Sequence, residues 1–95
     1  MVRPPYPTEI LYITFCTIQF RHVQARQTFR HRFFQEAIRS CGLHFGGNIL
    51  RGNEWSGGAV SRLPDQSVTY AQADHVLRWL RQQPEVVSCQ VGVGT

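Results

Sequence analysis

Lysine is absent from this sequence of 95 residues, and all ten of its basic residues are arginine. Only six residues are acidic, so the formal net charge is +4. Arginine binds phosphate and carboxylate groups through two hydrogen bonds and stacks on planar groups, which lysine does not do. A GC-rich genome produces the same bias, so composition alone identifies no partner.

Cysteines and long apolar runs are also scarce. The three cysteines (Cys16, Cys41 and Cys89) are odd in number and lie in apolar runs without metal-ligand spacing. They predict buried, reduced thiols in a reducing compartment. Residues 1–10 contain no apolar signal segment, and no apolar run is long enough to span a bilayer. We therefore expect a cytoplasmic protein that does not enter a membrane.

The residue patterns of common catalytic and metal sites are missing as well. The four histidines show no HxH or HxxxH spacing, the cysteines form no CxxC, and the acidic residues are scattered singly. Cys41 and His44 are the closest nucleophile and base in sequence, but Cys41 falls on the apolar stripe of a predicted helix. We expect no metal, no cofactor and no catalytic residue.

The first half of the chain predicts a strand followed by a helix. Residues 10–20 are β-branched and aromatic on both alternating faces, which is typical of a central strand. Residues 24–41 show helical spacing, with an apolar stripe that includes Phe29, Phe33 and Ile38. Either the helix begins near Thr28 as its N-cap and leaves Arg26 in the preceding loop, or Arg26 and Arg30 border the core with their stems. The first interpretation is favoured.

Residues 42–60 hold six of the eight glycines and predict a β-hairpin. Its strands are expected at residues 43–49 and 58–63, with a loop around residues 51–55. Gly42 follows the helical pattern at the position of a left-handed C-cap. Trp55 is expected in the loop, either exposed as a contact residue or folded back to close the hairpin.

The remainder predicts a turn, a second helix and a last strand. Residues 64–66 (Pro-Asp-Gln) form the turn, and residues 69–72 (Thr-Tyr-Ala-Gln) form a capping box. The helix has a buried stripe that we assign to Tyr70, Ala73, Val76, Leu77 and Leu80, with Trp79 at the edge of the core, and it ends at Pro84. Residues 86–93 alternate, and we expect them to bury Val87, Cys89, Val91 and Val93 on one face.

The order strand, helix, strand, strand, helix, strand predicts an α+β fold. Two right-handed crossovers give a ferredoxin-like βαββαβ domain, with a four-stranded antiparallel sheet and both helices on one face. Residues 1–9 are expected to form an extended lead-in and residues 10–95 the single domain. This fold implies no particular function.

Arginines supply most of the candidate contact residues. The chain lacks the R-G-F-G-F-V pattern of ferredoxin-like RNA readers, and its third strand offers no aromatic platform. The candidate partner-binding residues are Arg26, Arg30, Arg51, Trp55 and Arg62.

Two segments resemble acylphosphatases. Residues 23–30 (VQARQTFR) are similar to the first-loop motif V-Q-G-V-x-F-R, and residues 61–68 (SRLPDQSV) to V-R-N-L-P-D-G-S-V. The resemblance implies that Arg30 binds an anion. In this chain, however, the loop is one residue longer, Ala25 replaces the glycine, and Arg62 occupies the position of the asparagine that positions water. We therefore expect no hydrolysis.

A longer series resembles the YggL family of small bacterial proteins associated with the large ribosomal subunit. It comprises residues 42–47 (GLHFGG), Trp55, Thr69, residues 76–80 (VLRWL) and Pro84. The resemblance implies a non-enzymatic binding module whose partner is the ribosome or structured RNA. The alternative is a module that binds a protein, as an inhibitor or adaptor such as a phage-encoded antagonist of a host defence complex.

Overall fold

The computed structural model describes residues 9–62 and 67–94, without the side chains of residues 47–49. Most of the predicted lead-in and the whole predicted turn at residues 64–66 lie outside the described residues. The elements in chain order are β1 (Ile10–Thr17), α1 (Val23–Arg32), β2 (Leu43–Arg51), β3 (Glu54–Ser61), α2 (Tyr70–Gln82) and β4 (Val86–Gly94). The predicted α+β class is confirmed.

The four strands form one antiparallel sheet in the order β2-β3-β1-β4, which is compatible with a ferredoxin-like arrangement. Strand β1 is central, as predicted, but it is not covered on both faces. Leu11, Ile13 and Phe15 are buried in the core, whereas Tyr12 on the opposite face is 46% exposed. The difference arises because the buried residues of both helices join the core on the side of Leu11, Ile13 and Phe15.

The first helix begins earlier than predicted. It starts at Val23 after His22, whose side chain makes no capping hydrogen bond, so Thr28 is not the N-cap and Arg26 lies within the helix. Residues 23–41 contain no glycine or proline, so no helix-breaking residue prevents the helix from starting at Val23. It continues as a π-helix (Phe33–Ile38) and a 3₁₀ turn (Arg39–Cys41). Gly42 ends it with φ of 78°, which confirms the predicted C-cap.

The hairpin turn is tighter than predicted. Only Gly52 and Asn53 separate β2 from β3, and Gly52 has φ of 60°, a value at which glycine carries no steric penalty. A loop over residues 51–55 is therefore wrong, and Trp55 lies in β3. The ladder between β2 and β3 shifts register between Gly46 and Ile49. Glycine inside a strand often marks such an irregularity.

The second helix begins at the predicted capping box. The Thr69 hydroxyl accepts from the backbone N–H of Gln72 at 3.2 Å, and the Gln72 side chain accepts from the backbone N–H of Thr69 at 2.9 Å. Val76 and Leu80 are buried, and Trp79 is 8% exposed, as predicted for the edge of the core. Tyr70 is 80% exposed, so its place in the buried stripe is wrong. It is the first residue of α2 and precedes the turns whose residues are buried in the core.

The last strand differs from its predicted alternation at one end. A register shift beside Thr17 pairs that residue with Val86, and Val87 is left exposed instead of buried. An extra residue in a strand reverses the faces of the residues on one side of it. Within the described part of the chain, no helix has the length and apolar character needed to cross a membrane.

Candidate nucleic-acid interface

Three cavities lie in series between the first helix and the β2–β3 hairpin. The first, of about 540 Å³, is lined by residues that include Arg21, His22, Arg26, Asn53 and Trp55. The second is a narrow gap, too small for a water molecule, between the buried rings of Phe15, Phe33 and Trp55 and the side chains of Arg30, Phe34 and Phe45. The third, of about 390 Å³, is lined by Phe34, Ile38, Arg39, Leu43, His44, Phe45 and Arg62. The first and third cavities are open, and the exposed Arg30 lies between them on the same helix. We call the surface formed by these two cavities and Arg30 the basic groove.

Helix geometry explains the arginines on one wall of this groove. Arg26, Arg30 and Phe34 are spaced four residues apart, and this spacing places side chains on the same side of a helix. Each step of four residues advances about 6 Å along the axis. The guanidinium carbon of Arg30 lies 5.3 Å from the centre of the Phe34 ring, so the arginine is held over an aromatic face.

The positive charge of the groove has no carboxylate partner among the described residues. Arg32 pairs with Glu36 and Glu85, each at 3.8 Å, and Arg78 pairs with Asp74 at 2.8 Å. Within residues 9–62 and 67–94, no ion pair involves the arginines that line the groove: Arg21, Arg26, Arg30, Arg39 and Arg62. The groove therefore attracts anions, while the paired arginines lie towards α2 and the start of β4.

Aromatic rings form the floor of the groove. The rings of Phe34 and Phe45 are 5.5 Å apart and tilted by 55°, and Phe45 meets the buried Phe33 edge to face at 5.6 Å. Phe45 lies directly over Gly57 of β3, where an added Cβ would be 2.4 Å from its Cζ. Gly57 therefore lets this ring pack against the sheet. Phe34 and Phe45 are both half-buried, which leaves part of each ring open to a ligand.

Trp55 is a core residue and not a contact residue. It is 3% exposed, stacks on Phe15 at 5.4 Å, and donates its indole N–H to the Thr17 hydroxyl at 3.2 Å. Of the two alternatives for this side chain, the structure has the one in which it closes the hairpin. A ring at this depth is not available for stacking on a base.

The other predicted contact residues fall into two places. Arg26, Arg30 and Arg62 line the basic groove, although they come from α1 and from the end of β3. Arg51 is exposed at the end of β2, opposite Glu54 in the hairpin, and does not line the three cavities. Sequence reasoning missed Arg21 and Arg39 as groove residues. The only available signal for Arg39 was its position at the end of the helix that carries Arg26 and Arg30.

A serine and a histidine meet on the other side of the first helix, outside the groove. His75 Nε2 lies 2.9 Å from the Ser40 hydroxyl and 3.1 Å from the Glu36 carbonyl, and the Ser40 hydroxyl also donates to that carbonyl. A carbonyl only accepts, so Nε2 must carry the proton and donate it. His75 Nε2 is therefore not a base for Ser40, and the contacts join α2 to the end of the first helix.

The described cysteines, histidines and acidic residues include one thiol with a shifted pKa and no metal-binding cluster. Burial raises the pKa of the Cys41 thiol, which donates to the Ala37 carbonyl at 3.3 Å, so its nucleophilic form is disfavoured. Among the residues that the structure describes, no three His, Cys, Asp or Glu side chains are placed to hold a metal ion together.

Comparison of the chain with protein-family models, with curated proteins and with solved structures finds no match.

Proposed function

We propose that this chain is a non-enzymatic RNA-binding module on a ferredoxin-like scaffold, and that the basic groove holds a single strand or a loop of structured RNA. The observation that carries the proposal is a set of groove arginines without carboxylate partners among the described residues (Arg21, Arg26, Arg30, Arg39 and Arg62). Single-strand binding requires a cationic groove for the backbone and aromatic faces for the bases. The groove offers both, which agrees with the resemblance to a family of ribosome-associated proteins.

The dimensions of the groove fit a short segment of RNA. Arg26 and Arg39 are thirteen helical positions apart, which corresponds to roughly 20 Å along the axis. We expect about two to four phosphates to be neutralised over this distance. The exposed face of the sheet is less suited to stacking on bases. Among the described residues of the two central strands, Tyr12 is the one aromatic residue on that face.

The outer edge of β2 supports a second candidate function. Among the described strands none pairs with that edge, and Arg39, Arg62 and Arg51 lie near its two ends. An acidic, extended segment of a protein partner would add to such an edge by main-chain hydrogen bonds. A protein-binding inhibitor or adaptor would bind its partner at this edge. We favour RNA because the groove also contains the exposed aromatic surface of Phe34 and Phe45.

Hydrolysis of acyl phosphates forms no part of the proposal. The positions matched to the anion-binding arginine and to the water-positioning asparagine are Arg30 and Arg62. Arg30 lies over the Phe34 ring in the middle of the groove, and Arg62 lines the cavity at its end. In addition, arginine is a poor group to orient and activate a water molecule, since it has only donors.

The test compares two double charge reversals in the full chain. Arg26→Glu with Arg30→Glu alters the groove, and Arg78→Glu with Arg81→Glu alters α2 by the same net charge. Binding to a fluorescent, unstructured RNA is followed by anisotropy, and circular dichroism checks the fold of each variant. We expect the groove variant to lose at least about tenfold in affinity and the α2 variant less than about threefold. Equal losses, or no binding by the unaltered chain at about 50 mM salt, would refute the proposal.

A further inference from the structure

The cavity at the end of the basic groove differs from the other two in its composition. Two guanidinium groups, Arg39 and Arg62, meet a floor made by Phe34, Ile38, Leu43 and Phe45. Its volume of about 390 Å³ lies in the range of roughly 300–1,000 Å³ that small-molecule sites occupy. His44 also lines it, but its register with the exposed Val60 places the imidazole on the other face of the sheet. We therefore leave His44 out of the ligand set.

The two arginines are held at this cavity by separate elements. Arg39 begins the 3₁₀ turn that ends at the left-handed Gly42. Arg62 follows β3, and its backbone N–H donates to the Gly42 carbonyl at 3.0 Å. Both side chains are exposed, and neither forms an ion pair within the described residues. Two guanidinium groups at one cavity favour a multiply charged anion, and phosphate can accept two hydrogen bonds from each.

The floor requires a planar apolar group beside that anion. Phe34 and Phe45 are half-buried rings, while Ile38 and Leu43 beneath them are fully buried. An inorganic anion would leave this apolar surface in contact with water, and a purely apolar ligand would leave the arginines without a counterion. A nucleotide has a phosphate and a stacking base in one unit, so it uses both parts of the cavity.

We propose that this cavity binds one nucleotide of the RNA, with its phosphate on Arg39 and Arg62 and its base against Phe34 and Phe45. The inference rests on the proposed function, because Arg30 lies over the ring of Phe34, which lines this cavity, and so continues the cationic surface along the helix. The cavity then fixes the position of the strand, and Arg30 and Arg26 hold the phosphates that follow.

The experiment separates the two halves of the ligand. Adenosine monophosphate, ribose 5-phosphate and adenosine are titrated into the full chain, and chemical shifts are followed by NMR. We expect the nucleotide to bind at least about tenfold more tightly than either fragment. We also expect Arg39→Gln and Arg62→Gln each to weaken the nucleotide about tenfold. Arg51→Gln, which changes an exposed arginine outside the cavity, should leave the affinity unchanged.

Competition identifies the source of the nucleotide. Adenosine monophosphate should displace the fluorescent RNA from the unaltered chain. Three results would each overturn the inference. Ribose 5-phosphate could bind as tightly as the nucleotide, the two glutamine substitutions could leave the nucleotide affinity unchanged, or the nucleotide could bind without displacing RNA. An acidic peptide that displaces the nucleotide more effectively than RNA does would overturn it too. If RNA binds through Arg26 and Arg30 but the nucleotide does not bind, this inference fails and the proposed function stands; if neither binds, both fail.

Discussion

Replacing Gly57 by alanine tests the packing that forms the floor of the groove. The new Cβ would lie 2.4 Å from Cζ of Phe45 and 3.0 and 3.2 Å from its two Cε atoms. Favourable carbon contacts need about 3.5–4.0 Å, so the ring must move by more than about 1 Å. Phe45 cannot move freely, because it packs against Phe33 and Phe34.

The expected magnitude follows from two opposing terms. Inserting a methyl group into a packed site costs about 1–3 kcal/mol. Gly57 does not have a positive φ, so alanine also restricts the unfolded chain and returns about 0.4–1 kcal/mol. We expect Gly57→Ala to lower the free energy of unfolding by about 1–2 kcal/mol.

Urea unfolding followed by fluorescence measures this change, with Gly92→Ala as the matched control. An added Cβ at Gly92 meets no atom within 4 Å, so the control should be neutral or slightly stabilising. In a Phe45→Leu background the clashing ring atoms are gone, and Gly57→Ala should cost less than about 0.5 kcal/mol. The same loss in both backgrounds, or a loss at Gly92 equal to that at Gly57, would refute the packing of Phe45 on Gly57.

Two substitutions and two measurements on Cys41 test the rest of the fold. Trp79→Ala should lower the free energy of unfolding by about 3–5 kcal/mol, since the ring is buried and donates to Glu36 at 3.0 Å; a loss below about 1 kcal/mol would show a surface residue. Thr69→Ala removes the cap on the Gln72 amide and should cost about 1 kcal/mol in urea unfolding, and no change would mean that the capping box does not form in solution. Because burial raises the pKa of Cys41, mass spectrometry should detect slower alkylation of this thiol in the native chain than in urea at about pH 8, and equal rates would contradict its burial. For the same reason the contribution of Cys41 to stability should fall as pH rises above the ordinary thiol pKa, because the unfolded chain loses this proton first.

Features set by local chemistry were predictable from the sequence. The capping box at Thr69 and Gln72 and the left-handed Gly42 each depend on residues that are neighbours along the chain. The buried position of Trp79 followed from its place beside Val76 on the helix. The two helix caps are local to the helix ends, and the helical period alone puts Trp79 on the side of Val76, so these predictions needed no knowledge of the tertiary fold.

Features set by register were not predictable. Residues 42–60 are rich in glycine and carry few side chains that specify one pairing, so their sequence predicts a hairpin but neither the bounds of its turn nor the position of Trp55 in β3. The predicted burial of Val87 is wrong because the register shift beside Thr17 leaves no signal in the sequence of β4.

The groove was predictable only in part. Its arginines are visible in the sequence, but only the sheet topology brings Arg62 of the β3 end close to Arg39 of the first helix. Arg51 is also visible in the sequence, but it does not line the groove, because the tight turn at Gly52 and Asn53 leaves it at the far end of the hairpin. Selecting the contact residues therefore required the distances between elements and not only their order.

The salt dependence of RNA affinity tests the central claim most directly. Each phosphate that a groove arginine neutralises should contribute about −0.7 to the slope of log K against log salt for a single strand. With about two to four phosphates, the unaltered chain should give a slope between about −1.4 and −2.8 from about 50 to about 200 mM salt. The slope should become shallower by at least about 0.7 in the variant with Arg26→Glu and Arg30→Glu, and should stay the same with Arg78→Glu and Arg81→Glu. Affinity that does not depend on salt, or an equal slope in the groove variant, would contradict RNA binding through this groove.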